Sequence, residues 1–180
     1  MPRKIRTVLL IATLVLLLVV VISFVIKPRT NQINTLTLTG DSGPAINSVA
    51  PNFNLPLLNG GSNQSSISLE HNQNVLVTFF ASWCTDCKQD LSLLGQYQNK
   101  LGYKVIGIDS GDTRTAGNNL IKEYKLDFPV GYDPDETLII GSYNTRGLPF
   151  SVLINSKGLV VATHLGPLTL TLLRDWQNKL

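Results

Sequence analysis

The two cysteines of this 180-residue chain are the residues best suited to chemistry. Cys84 and Cys87 follow an apolar, β-prone run at Val75–Ala81 and precede a pattern of helical periodicity that begins near Thr85. Two sulfurs at this spacing can close a small disulfide ring, and the unpaired amides of a helix N-terminus favour a thiolate. We therefore predict a redox-active pair in which Cys84 is the exposed nucleophile and Cys87 resolves the mixed disulfide.

Two other uses of this cysteine pair are less well supported. A structural disulfide between residues three apart closes a very short loop and gains little chain-entropy stabilisation. A metal site needs further soft or imidazole ligands, and the two histidines, His71 and His164, are far off in sequence. We expect no metal and no cofactor beyond the dithiol itself.

The elements that must position the cysteines alternate along the chain. Their predicted order is strand 75–81, helix 85–101, strand 103–109, helix 115–124, strand 128–132, helix 134–143, strands 150–155 and 159–164, and helix 169–180. The residues Ser156-Lys157-Gly158 between the last two strands indicate a hairpin. This order predicts an α/β domain with a central mixed sheet, parallel at the helical crossovers, antiparallel at the hairpin and covered by helices on both faces.

The N-terminal part of the chain differs in composition from the rest. Residues 8–26 carry no charge and form an apolar stretch about 28 Å long as a helix, enough to cross a bilayer. No good cleavage site follows this stretch, so we predict an uncleaved transmembrane anchor rather than a signal peptide. The predicted divisions are a cytoplasmic N-terminus at 1–7, the anchor at 8–26, a flexible linker at 27–45 and the folded domain at 46–180.

The distribution of charge supports this division. Five of the fifteen Lys and Arg residues flank the apolar stretch, and all twelve acids lie beyond residue 40. Three basic residues precede the stretch and two follow it, which favours a cytoplasmic N-terminus and an extracytoplasmic domain. The basic pI reflects these flanks, so the sequence gives no support for nucleic-acid binding.

The stretch FFASWCTDCKQD at 79–90 resembles the active-site segment of the TlpA/ResA-like thioredoxin-fold proteins. The resemblance covers about 46–180, because APNFNL at 50–55 is similar to the A-P-x-F-x-L segment of that family. Likewise, 147–158 are similar to its P-x-x-F-L-I-x-x-x-G segment. The resemblance implies a thioredoxin-like fold, preceded here by one transmembrane helix, and a protein-disulfide oxidoreductase.

The resemblance also implies roles for single residues. Pro149 corresponds to the cis-proline that faces the disulfide, and the backbone of Leu148 before it is expected to pair with a substrate segment. Trp83 is expected to pack beside Cys84 and shape access to it, either as a substrate-binding residue or by packing alone. Asp90 stands where relatives carry a glutamate proposed to assist proton transfer, although an acid in the first turns of a helix also complements the dipole.

Three further positions concern the tuning of the dithiol. Thr78 stands where thioredoxin has a buried aspartate, which argues against a plain cytosolic thioredoxin. Thr85 and Asp86 separate the cysteines and are expected to tune the redox couple. Many relatives have proline at the position of Asp86, and a negative charge there opposes the thiolate and shifts the couple toward reduction.

The resemblance implies reduction of the haem-attachment cysteines of apocytochromes c, with electrons from an integral-membrane thiol reductase. A Dsb-like oxidase of exported proteins is the alternative within the same chemistry. A peroxidase is less favoured, because the P-x-x-x-T-x-x-C motif of peroxiredoxins is missing. A copper-delivery protein of the Sco group is also less favoured, since that group uses C-x-x-x-C with a distant histidine.

Replacing Asp86 by Asn or Pro is expected to make the Cys84–Cys87 couple more oxidising, because the charge that opposes the thiolate is removed. The measurement is the reduction potential at equilibrium with a thiol–disulfide buffer. An unchanged or lower potential in both variants would contradict the electrostatic argument.

Overall fold

The computed structural model describes residue 17 and residues 43–59, 66–69 and 72–180. From residue 43 onward these belong to one unit that spans Thr39–Leu180. The predicted N-terminus 1–7, the anchor 8–26 apart from Leu17, and the linker 27–45 up to residue 42 lie outside the described residues. Among the described residues, no helix has the length and apolar character needed to cross a membrane.

The described part of the chain forms strands and helices in an alternating order. The strands are β1 Asn54–Pro56, β2 Ser66–Ser68, β3 Val75–Phe80, β4 Lys104–Ser110, β5 Val130–Asp133, β6 Phe150–Ile154 and β7 Val160–Leu165. The α-helices are α1 Cys87–Tyr97, α2 Arg114–Glu123 and α3 Leu170–Gln177. A 3₁₀ turn, Gln98–Lys100, extends α1, and a π-helix covers Thr137–Ser142.

Five of these strands form one mixed sheet in the order β5-β4-β3-β6-β7. β3 pairs in parallel with β4, and β4 with β5, as the helical crossovers predict. β6 runs antiparallel to both β3 and β7. β3, which leads to the cysteines, is therefore the central strand, and all six of its residues are buried.

Alternate residues of β3 enter two core clusters, one on each face of the sheet. Leu76 and Phe80 pack with both cysteines and with apolar side chains of all three α-helices. Val77 and Phe79 pack on the opposite face with Leu138 and Ile139 of the π-helix, among others. A strand that is apolar on both faces is what such a two-sided core requires.

The predicted mixed α/β domain with helices on both faces is confirmed, and the differences are local. The helix predicted at 134–143 is a π-helix that begins at Thr137. It begins late because Glu136 has left-handed backbone, φ 55°, and because the Asp133 carboxylate accepts from the amides of Leu138 and Ile139. β2 was not predicted, since its three residues contain a single apolar side chain and show no pattern.

Gly95 lies where α1 packs against the backbone at the end of α2. A Cβ at this position would meet the backbone carbonyl oxygen of Tyr124, which cannot move as a side chain could. The glycine therefore sits in the helix despite its low helix propensity.

We predict that Gly95→Ala lowers the free energy of unfolding by about 1–3 kcal/mol, because the contact outweighs the gain in helix propensity. Gly141→Ala is the matched control, since a Cβ there has no atom within 4 Å. Denaturant unfolding of both variants measures the difference. Equal stability of the two variants would show that Gly95 is not needed for packing.

Candidate active site

Cys84 and Cys87 form a disulfide at the junction between β3 and α1, with their Cα atoms 5.4 Å apart. Cys87 is 0% exposed and Cys84 is 6% exposed. Cys84 is thus more buried than predicted, because its side chain packs into the same core cluster as Phe80 and Leu91. It is nevertheless the cysteine of the pair that retains contact with solvent.

The start of α1 supplies a hydrogen-bond donor to the sulfur of Cys84, the predicted nucleophile. The backbone N–H of Cys87, the first residue of α1, donates to Cys84 Sγ over 3.1 Å. No side chain caps this helix end, so the sulfur occupies the position of a capping acceptor. After reduction, this amide and the positive end of the helix dipole stabilise a thiolate at Cys84.

Asp90 lies one turn into α1, on the face that carries Cys87, and is 1% exposed. Its Oδ1 accepts from the backbone N–H of Leu168 at 2.7 Å, while its buried Oδ2 has no hydrogen-bond partner among the residues that the structure describes. Burial raises the pKa of this carboxyl to about 7. The Leu168 bond opposes the rise and the nearby charge of Asp86 adds to it. At neutral pH the carboxyl can therefore take up or release a proton beside the dithiol.

Trp83, next to Cys84 in the chain, and Leu148, before the buried Pro149, are two apolar residues predicted to bind substrate. Trp83 is 60% exposed, and its indole N–H donates to the carbonyl of Gly111 at 3.0 Å. Leu148 is half-buried and packs against both core clusters, one of which contains the cysteines. The indole is thus held at one edge while its face is free for contact with a partner.

The Leu148–Pro149 peptide bond is cis, as predicted. Pro149 is buried, and its carbonyl accepts from the N–H of Gly166 at the end of β7. The turn between the π-helix and β6 is therefore tied to the end of β7.

The remaining predicted positions differ in their surroundings. Thr85 and Asp86 are exposed, so a partner protein can reach both. Thr78 is buried on β3, with its hydroxyl 3.0 Å from that of Ser151 on β6. A neutral hydroxyl pair therefore occupies the place where thioredoxin carries a carboxylate.

A second acidic group beside the site was not predicted. Asp109 is the last residue but one of β4, is the register partner of Phe80 and is 0% exposed. Asp112 follows it and accepts from the N–H and the hydroxyl of Ser82 at 2.6 and 2.9 Å. One feature of the sequence could have indicated Asp109 and Asp112, namely their position at the carboxyl end of a predicted parallel strand. Functional sites of α/β proteins commonly form at that edge of the sheet.

Of the two histidines, only His164 lies in the described part of the chain, and there it belongs to no candidate metal site. Within the residues that the structure describes, no three His, Cys, Asp or Glu side chains form a group able to hold a metal ion. His164 lies on β7, as predicted, with Nε2 3.1 Å from the carbonyl oxygen of Pro167. His71 lies outside the described residues.

A dithiol at the start of a helix, after the central strand of a mixed sheet and with a buried carboxyl on the same helical face, defines a thiol–disulfide oxidoreductase of thioredoxin-like fold. Residues 46–163 match the AhpC/TSA family, and the chain belongs to that family.

Individual relatives agree with this class. The chain is 30% identical over 132 residues to the thiol-disulfide oxidoreductase ResA of Bacillus subtilis, covering 72% of each chain. It is 29% identical over 126 residues to the thiol:disulfide interchange protein DsbE of Allochromatium vinosum, covering 69% of each. The thioredoxin domain of a thiol-disulfide oxidoreductase from Bacteroides vulgatus shares the fold, with a TM-score of 0.64 and 24% identity over 75% of this chain and 97% of that one.

The raised pKa of Asp90 predicts how stability depends on pH. The folded protein holds this proton more tightly than the unfolded chain, so the free energy of unfolding falls as pH rises from about 4 to about 7. Asp90→Asn removes this part of the pH dependence, on the order of 2–4 kcal/mol. Denaturant unfolding of the oxidised protein across pH 4–8 measures it.

Asp86→Asn is the matched control on the same helix end, because Asp86 is exposed and contributes only a minor part of the effect on Asp90. A pH dependence in Asp90→Asn as steep as that of the unmodified protein would contradict the assignment.

Proposed function

We propose that the protein reduces disulfides of exported proteins at the extracytoplasmic face of the membrane, with apocytochrome c among its substrates. In this proposal residues 8–26 anchor the chain with its N-terminus in the cytoplasm. An integral-membrane thiol reductase returns electrons to the dithiol. The observation that carries the proposal is the asymmetry of the pair: Cys84 Sγ accepts from the Cys87 amide, whereas Cys87 and Asp90 are both buried.

The chemical steps follow from this asymmetry. The Cys84 thiolate attacks a substrate disulfide, forms a mixed disulfide and releases the first substrate thiolate. Asp90 accepts the proton of the Cys87 thiol, and the Cys87 thiolate attacks Cys84 Sγ and releases the second substrate thiolate. The substrate gains two electrons, the dithiol becomes the disulfide seen in the structure, and the proton on Asp90 passes to the product.

Two features favour reduction over oxidation. The negative charge of Asp86 between the cysteines opposes the thiolate, and a poorly stabilised thiolate makes a weaker oxidant. The buried Asp90 carboxyl also disfavours a second negative charge near the pair above neutral pH. The names of the relatives, ResA and DsbE, describe disulfide exchange and leave its direction open.

The direction and the substrate can be tested together in the full-length protein. We expect Cys87→Ser to accumulate mixed disulfides with apocytochrome c in membranes, because the resolving thiol is lost. Cys84→Ser is the matched control, since the remaining Cys87 is fully buried and is expected to trap nothing. The reduction potential is expected nearer to that of thioredoxin, about −270 mV, than to that of DsbA, about −120 mV.

A reduction potential near the DsbA value, together with many trapped exported proteins and no apocytochrome, would contradict the proposed reductase. It would favour a Dsb-like oxidase instead. The location has its own readout: a membrane-impermeant thiol reagent is expected to label reduced Cys84 in intact cells. Labelling only after cell lysis would contradict the extracytoplasmic placement.

A further inference from the structure

Asp109 has an environment unusual for a carboxylate. It is 0% exposed, and within the described part of the chain no N–H or O–H group donates to either of its oxygens. Its carboxyl lies against α2 at Gly117, where an added Cβ would collide with Oδ2, and Leu58 lies against the same point. An ionised carboxylate without donors in such a place is costly, whereas a neutral acid needs only one acceptor.

The carboxyl of Asp112, three residues further along the chain, is the group that acts on Asp109 and can serve as that acceptor. A hydrogen bond between the two carboxyls needs a proton on one of them, because two ionised carboxylates both only accept. Burial, then the charge of Asp112, then this hydrogen bond raise the pKa of Asp109 to about 8. Two adjacent carboxyls therefore hold one proton at neutral pH.

The other charged and titratable groups on the elements next to Asp109 make contacts with groups other than its carboxyl. Its register partner on β5 is Tyr132, whose hydroxyl donates to the Asp112 carbonyl at 3.0 Å. Arg114 of α2 stacks over the Tyr132 ring at 4.5 Å and donates to the carbonyl of Leu57. On β3 its register partner is the apolar Phe80. The charge that bears on Asp109 therefore comes from Asp112.

Asp112 connects this pair to the segment before the nucleophile. Its two carboxylate oxygens accept from the N–H and the hydroxyl of Ser82, and Oδ1 also accepts from the N–H of Thr113. The carbonyl of Gly111, in the same loop, accepts from the indole N–H of Trp83. The loop after β4 thus holds both residues that precede Cys84.

We propose that Asp109 is a positioning residue that acts as a neutral acid: by donating to Asp112 it fixes the carboxylate that holds Ser82, and with it the Ser82–Trp83 segment in front of Cys84. When Asp109 loses its proton, two adjacent carboxylates repel each other. The hydrogen bonds from Ser82 to the Asp112 carboxylate then weaken. The arrangement makes the approach to the nucleophile sensitive to alkaline pH. The inference concerns the dithiol site but does not depend on the direction of electron flow or on the substrate.

The test follows the indole N–H signal of Trp83 by NMR in the oxidised full-length protein, in detergent micelles, from pH 5 to pH 10. The oxidised form is chosen because disulfide-bonded cysteines do not titrate. The chain contains one other tryptophan, Trp176, which is buried on α3 and serves as the internal reference. We expect the Trp83 signal to move with a midpoint near pH 8 while that of Trp176 stays in place.

Asp109→Asn distinguishes the proposed role from a merely structural one. The asparagine amide still donates to Asp112 but cannot lose a proton, so the Trp83 signal is expected to stay at its low-pH position throughout. In Asp109→Ala the donor is missing, and the signal is expected to be displaced already at pH 5. Asp90→Asn is the control for the other buried acid whose pKa is raised toward neutral, and it is expected to keep the transition near pH 8.

Two results would overturn the proposal: no transition in the unmodified protein, or a transition that persists unchanged in Asp109→Asn. Should the alanine variant fail to fold, the asparagine variant alone decides, because it retains size and donor. Since no substrate and no thiol take part, either negative result leaves the proposed disulfide reduction unaffected.

Discussion

The packing of α1 against the central sheet is the constraint on which the site depends. The helix begins at Cys87, and the face that carries residues 87, 90 and 94 is buried. The sulfur of Cys87 and the carboxyl of Asp90 are therefore removed from water together. Its first amide is directed at Cys84 Sγ. One rigid contact between helix and sheet therefore sets the different environments of the two sulfurs.

Burial of acids is costly, and the domain contains two of them near the dithiol. Among the described residues, the backbone amide of Leu168, before α3, donates to Asp90. No group there donates to Asp109, whose neighbouring acid is Asp112. In both cases burial raises the pKa, so that the groups retain or exchange protons close to neutral pH. The two acids lie on different elements, Asp90 on α1 and Asp109 on β4, so the proposed proton transfer and the proposed positioning of the Ser82–Trp83 segment depend on different parts of the chain.

Much of this site could be predicted from local sequence, and the parts that could not depend on contacts between distant segments. Residues 75–101 alone predict the cysteine spacing, the buried strand before the cysteines and the helix after them. The burial of Cys84 and the Leu168–Asp90 bond depend on tertiary packing that no pattern reveals. The Asp109–Asp112 pair was missed for a related reason, since acids at the end of a strand resemble an ordinary solvated turn.

The different reactivity of Cys84 and Cys87 is the central claim, and limited alkylation of the reduced protein tests it most directly. Iodoacetamide is applied below saturation between pH 5 and pH 9, and the labelled cysteine is identified by peptide mass mapping. The account predicts that Cys84 reacts roughly tenfold or more faster than Cys87 across this range, as a thiolate at a helix N-terminus should. Equal rates, or faster labelling of Cys87, would contradict it.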